Sequence, residues 1–273
     1  MVLLSNLARA LAPTGVLRAG INLSNYLLVS SRGPAGEPIG VAPDVAALLA
    51  AKLDVPLEIV PYENPGLLAD AAVRDEWDVG LIGAEAQRAA TIAFSQPYVE
   101  IEATYLVPSG SPLKRIRDVD SEGTRIAVSR RAAYCLWLEA NLQQATLLQT
   151  AEPGLDLSRD LFLEQDCDAL AGLRPWLLTQ QAQGLRDCKV LDRSFTSVLQ
   201  SIGLPRARSD GGSTMFLEAF VGEIIASGQV AALIAKHGVE GRLSVAGSSA
   251  SSARAEAQVE TTGPGYASAD SGR

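Results

Sequence analysis

The chain switches hydrophobic period repeatedly over its first eighty residues, and this limits its fold more than any other feature. "VLRAGI" (16–21) reads as a strand. "PDVAALLAAKL" (43–53) is a helix pattern with proline in its first turn, where a missing N–H does no harm. "LEIVPY" (57–62) is again a strand, "GLLADAAVR" (66–74) a helix and "DVGLI" (78–82) a strand. Strands separated by helical patterns of about 10–15 residues argue for parallel βαβ units, and so for an α/β fold.

The alternation resumes after a break. "IEATYLVP" (101–108) is extended and enters a turn cluster of Pro108, Ser109, Gly110, Ser111 and Pro112. A strand at 125–128, an amphipathic helix at 132–142, a strand at 147–150, a helix at 157–165 and short strands at 168–172 and 189–191 follow. "TSVLQSIGLPR" (196–206) is extended and returns the chain to its first unit, which helices at 214–228 and 230–238 close. A chain of 273 residues, 47% of them hydrophobic, is long for one core. Two lobes are expected, the first formed by 1–107 and 197–246, the second by 108–196. From 247 to 273 serine, alanine and glycine dominate without periodicity, which predicts a disordered tail.

Composition narrows the function. A net charge of -8 and a pI near 4.8, with no basic stripe, argue against nucleic-acid binding. No apolar run reaches the roughly 18 residues of a membrane span. Cys135, Cys167 and Cys188 form no CxxC; they are either small apolar fillers or, in an oxidising compartment, include one disulfide. The single histidine, His237, precedes Gly238 and reads as a helix C-terminal cap. One histidine so placed speaks against Ser-His-Asp and Cys-His hydrolases and against a histidine-rich metal site, so neither metal nor cofactor is expected. At the N-terminus, Leu3 to Leu11 predicts a short helix stopped by Pro13, without the basic start of a secretory signal. The sequence therefore reads as a mature form or as an intracellular protein.

The stretch "GLIGAEAQRAATIAFSQPY" (80–98) locates a candidate site. Gly83 ends a strand and lets a ligand approach bare backbone. Arg88 follows five residues later; its guanidinium either holds a carboxylate bidentately or pairs with Glu85 at i,i+3 on the surface. Phe94 to Tyr98 read as an extended structural segment. Asn22, Ser24, Asn25 and Tyr26 follow the first strand, as ligand contacts or as turn chemistry. Ser129, Arg130 and Arg131 lie between a strand and a helix, where free N–H groups favour anions. Arg174 sits at another strand end.

In order and spacing, these pieces resemble the family 3 extracellular solute-binding proteins of bacterial ABC transporters, with the type II periplasmic-binding fold. "GVLRAGIN" is similar to the family's first strand, "GVAPDVAALLAAKLDVPLEIVPY" to its first helix–strand unit, "EWDVGLIGAEAQRAATIAFSQPYVE" to the end of its first lobe, and "IRDVDSEGTRIAVSRRAAYCLWLEANL" to the opening of its second. The resemblance spans about residues 15–246. It implies a two-lobed α/β fold whose cleft closes by hinge motion on an amino acid or other small carboxylate. A monomeric, periplasmic, non-enzymatic protein that serves a membrane permease is also implied. Arg88 would take the ligand's carboxylate, with Asn22, Ser24, Asn25, Gly83, Glu85, Ser129, Arg131 and Arg174 as further ligand-binding residues.

The sequence departs from the family at two places. Glu85 stands where amino-acid binders carry a hydroxyl, and Leu173-Arg174 where they present a carboxylate to the ligand's ammonium. Both departures favour a carboxylate without an α-amino group, or a dicarboxylate. The alternative is an enzyme resembling cyclohexadienyl dehydratase, with Glu85 as general acid; no lysine stands near the expected site. A cytoplasmic ligand sensor is a third reading, with no output module to support it.

Overall fold

The computed structural model describes residues 2–248, so the predicted tail lies almost wholly outside the described residues. The first unit comprises α1 (Val2–Leu11), β1 (Leu17–Asn22), a small hairpin of β2 (Ser31–Arg32) and β3 (Pro38–Ile39), α2 (Val41–Leu53), β4 (Leu57–Tyr62), α3 (Pro65–Ala71) and β5 (Val79–Gly83). One long strand, β6 (Ile92–Pro108), leads to α4 (Ile116–Val119), β7 (Arg125–Val128), α5 (Ala133–Asn141), β8 (Thr146–Gln149), α6 (Leu155–Glu164), β9 (Ala169–Leu173), α7 (Arg174–Gln183) and β10 (Cys188–Val190). The chain returns through β11 (Thr196–Pro205) and ends in α8 (Gly211–Ala226), α9 (Gln229–Lys236) and β12 (Ser244–Val245).

All the larger strands share one sheet, in the order β4-β1-β5-β11-β6-β9-β7-β8. Its two flanks are parallel trios built alike: β1 lies between β4 and β5, and β7 between β8 and β9. The antiparallel pair β6 and β11 joins them. Ala103 of β6 pairs with Thr196 of β11 on one side and with Leu173 of β9 on the other, so one lobe passes into the other inside the sheet. β5 and β9 are buried throughout, as parallel strands covered on both faces must be, which explains their unbroken apolar character.

Local chemistry sets the helix ends. Asn64 caps α3 by accepting from Leu67 N (3.0 Å), and Pro65 follows at the first turn. Asp210 caps α8 through Ser213 N (2.6 Å). His237 ends α9 as expected, and also joins it to α2 by a 2.8 Å contact with Asp44. Cys135, Cys167 and Cys188 are buried and unpaired, the filler alternative.

Some elements escape the sequence pattern. β6 begins at Ile92, not near residue 101, because Phe94 to Tyr98 continue the strand, with Tyr98 fully buried. α7 was not expected: Pro175 reads as a breaker, yet the first helical turn tolerates it. β2, β3, β12 and α4 are too short to show a period.

Candidate functional site

Ligands of doubly wound sheets lie beyond the carboxyl ends of the strands. Here those ends, from β1, β4 and β5, face the starts of α5 and α6 across a cavity of about 330 Å³, a volume suited to a small solute. Asn22, Ser24, Asn25, Tyr26, Gly83 and Arg88 line one wall; Ser129, Arg130 and Ala132 to Tyr134 line the other. The six expected residues Asn22, Ser24, Asn25, Gly83, Arg88 and Ser129 are thus brought together.

Arg88 is the most buried of the charged residues lining the cavity, 6% exposed. It starts a short 3-10 turn after β5, and the turn folds its side chain back onto the strand end. Nη1 donates to Gly83 O (3.0 Å) and to Glu85 Oε2 (2.5 Å), while Nη2 donates to Arg131 O (3.2 Å) across the cleft. A guanidinium carries five N–H donors, and the described residues engage three of them. Burial lowers the Arg88 pKa and raises that of Glu85, each shift being opposed by the partner's charge. Arg88 therefore pairs with Glu85 at i,i+3, but the pair is buried and not on the surface, and the guanidinium stands at the cavity wall.

Asn22 and Asn25 also make turn bonds. Asn22 Oδ1 accepts from Ser24 N (3.1 Å) and Oγ (2.8 Å), and Asn25 Oδ1 from Leu27 N (3.2 Å). Ser129 Oγ accepts from Gly154 N (3.0 Å), tying the β7 end to the start of α6. Among the described residues no side chain caps the start of α5, whose first turn lines the cavity.

Three expected ligand-binding residues lie elsewhere. Glu85 folds over Gly83 and does not line this cavity; a Cβ on Gly83 would sit 2.5 Å from Glu85 Oε1. Arg131 reaches away to Asp70, at distances of 2.9 and 2.6 Å. Arg174 pairs with Glu102 and donates to Leu191 O and Asp192 O (both 2.9 Å), binding α7 to β6 and the loop after β10. Neither arginine brings its charge to the cavity, whose lining arginines are Arg88 and Arg130.

Sequence reasoning missed Glu63, Asn64 and Gln200, all of which line it. The strand-end rule applied to β4 would have found the first two. Gln200 lies inside β11, opposite Gly83, beside a bulge at Gln200/Ser201. Bulges re-aim side chains. Gln200 is 5% exposed, and among the described residues its side-chain amide has no protein partner.

Solved structures of the same fold include the P235GK mutant of ArgBP from T. maritima, at 20% identity and TM-score 0.63, covering 86% of this chain and 100% of that one. A putative ABC transporter binding component from Wolinella succinogenes complexed with lysine gives 20% identity and TM-score 0.64, covering 80% and 94%. The ancestral amino acid-binding protein AncCDT-1, a precursor of cyclohexadienyl dehydratase, gives 19% and 0.65, covering 85% and 98%. Among curated proteins none matches. The profile of the bacterial extracellular solute-binding proteins, family 3, matches residues 17–240, and the chain belongs to that family.

Proposed function

We propose that the protein receives a small monocarboxylate, amino acids included, in the inter-lobe cavity and passes it to an ABC transporter permease outside the cytoplasmic membrane, working as a monomer. The observation that carries this reading is Arg88: a buried guanidinium at the cavity wall with two donors that meet no protein acceptor among the described residues. Gln200 supplies an uncharged amide on the same side, fit for a neutral polar group of the ligand. Glu63, at the cavity edge, is the carboxylate available to an ammonium. Solved structures of the same fold include complexes with lysine and L-arginine, which fits this chemistry. Binding rather than catalysis is favoured because Glu85, the candidate general acid, is held by Arg88 outside the cavity.

Native mass spectrometry of freshly purified protein, followed by calorimetry with L-arginine, L-lysine, L-glutamine and their des-amino counterparts, tests the reading. Saturable binding of at least one carboxylate, abolished in Arg88→Ala, is expected. Binding that is unchanged in Arg88→Ala would overturn it.

A further inference from the structure

We infer that Arg131 is a positioning residue that clasps the two lobes together and orients Arg88 before a solute arrives. Its backbone is the first sign. Arg131 has φ 59°, in the left-handed region that glycine enters freely and long side chains avoid. The other non-glycine residues with positive φ among the described residues are Asp54, Asp75 and Asp166, a type that tolerates this conformation. Strain kept at one arginine points to work done by its side chain.

That side chain crosses the cleft. Nη1 and Nη2 lie 2.9 and 2.6 Å from the two carboxylate oxygens of Asp70 on α3, a forked pairing, and Nη2 also donates to Gly66 O (3.3 Å). The seat is shaped for it: a Cβ on Gly66 would lie 2.8 Å from Arg131 Cζ. The carbonyl of Arg131 itself accepts from Arg88 Nη2 (3.2 Å). One residue of the second lobe thus grips the first lobe and fixes the guanidinium at the cavity wall. Gln87 Nε2 adds a bond to Leu136 O (2.8 Å) at the same seam. Consistently, the Arg131 guanidinium holds the Asp70 carboxyl below its ordinary range.

The clasp consists wholly of protein groups, so it favours the closed arrangement independently of the solute. Apparent affinity scales with the fraction of molecules already competent to bind, so the clasp raises affinity without touching the ligand. The inference rests on the reading that the lobes close on a ligand, but its test uses none, so the two fail separately.

Exposed Met215 of the first lobe and Leu163 of the second are replaced by cysteine and spin-labelled, and inter-lobe distances are measured without ligand. Arg131→Gly, which suits the backbone, and Asp70→Asn are each expected to raise the long-distance population several-fold. The double variant should open no further than either single variant, the mark of a shared interaction. Salt raised from about 0.05 M to about 1 M should open the parent and leave Arg131→Gly unchanged, because half-exposed ion pairs are screened. Identical distance distributions in parent and single variants, or additive opening in the double variant, would overturn the clasp.

Discussion

Arg88 and Glu85 form a buried pair, with side chains 5% and 11% exposed, so the arginine contributes to folding as well as to binding. Removing one partner of such a pair leaves the other charge uncompensated, at about 3–5 kcal/mol. Arg88→Ala should therefore lower the denaturant midpoint markedly. Adding Glu85→Gln should restore most of that stability, since the amide carries no charge. Binding should not return with stability: deleting a charge-assisted hydrogen bond to a ligand held in a cleft costs about 2–5 kcal/mol, and calorimetry on the double variant reads it separately. Arg88→Lys should recover only part of the binding, because an ammonium lacks the fork. Arg88 was legible because its glycine, its carboxylate and the strand end are neighbours in sequence. Arg131 and Arg174 follow strand ends just as plainly, but their partners Asp70 and Glu102 stand 61 and 72 residues away. Position after a strand shows which end of the sheet a residue occupies; it does not show which carboxylate the fold will bring to it.

Among the elements, α2 and the turn before β8 depend on single residues. Gly40 precedes α2 in extended backbone, and a Cβ there would lie 2.1 Å from Leu28 O, a main-chain atom with little room to yield. Gly40→Ala should destabilise the fold by about 1–3 kcal/mol, the range for overpacking, as read by urea denaturation. Asp120 gathers the N–H groups of Gln143, Gln144 and Ala145, at 3.1, 2.8 and 2.9 Å. Burial pushes its pKa up, but these donors outweigh burial and hold the carboxyl below its ordinary value. A depressed folded-state pKa means stability present above about pH 4 and lost as pH falls through the folded value. Asp120→Asn should cost about 1 kcal/mol at neutral pH, as loss of a charged cap does, and should flatten the decline of stability below about pH 4. Elements with a clear period were legible, β1, α2, β4 and β5 above all. α7 was not, because Pro175 marks a helix start as readily as a break. The long strand β6 was read short because Pro97 interrupts it, yet Pro97 still pairs with Ser201 at a register shift, where a strand accommodates proline.

On the scale of the whole molecule, one sheet runs through both lobes, so neither trio unfolds without exposing β6 or β11 of the other. Unfolding should therefore be a single transition. Trp77 reports on the first lobe and Trp137 and Trp176 on the second, so Trp77→Phe and the Trp137→Phe, Trp176→Phe pair should each give fluorescence and circular-dichroism midpoints that coincide. Separate midpoints for the two lobes would show that the shared strands do not couple them. The alternation of periods made two α/β units legible. That both trios place their first strand in the middle was not, because the units share a topology without a repeated sequence. The buried cysteines carry a last consequence. Burial raises all three thiols, Cys135 to about 12, and the reactive species is the thiolate. The fold therefore owes nothing to the redox state of its surroundings: refolding from urea should proceed equally well with or without a glutathione couple, and a reductant should leave the melting curve where it was.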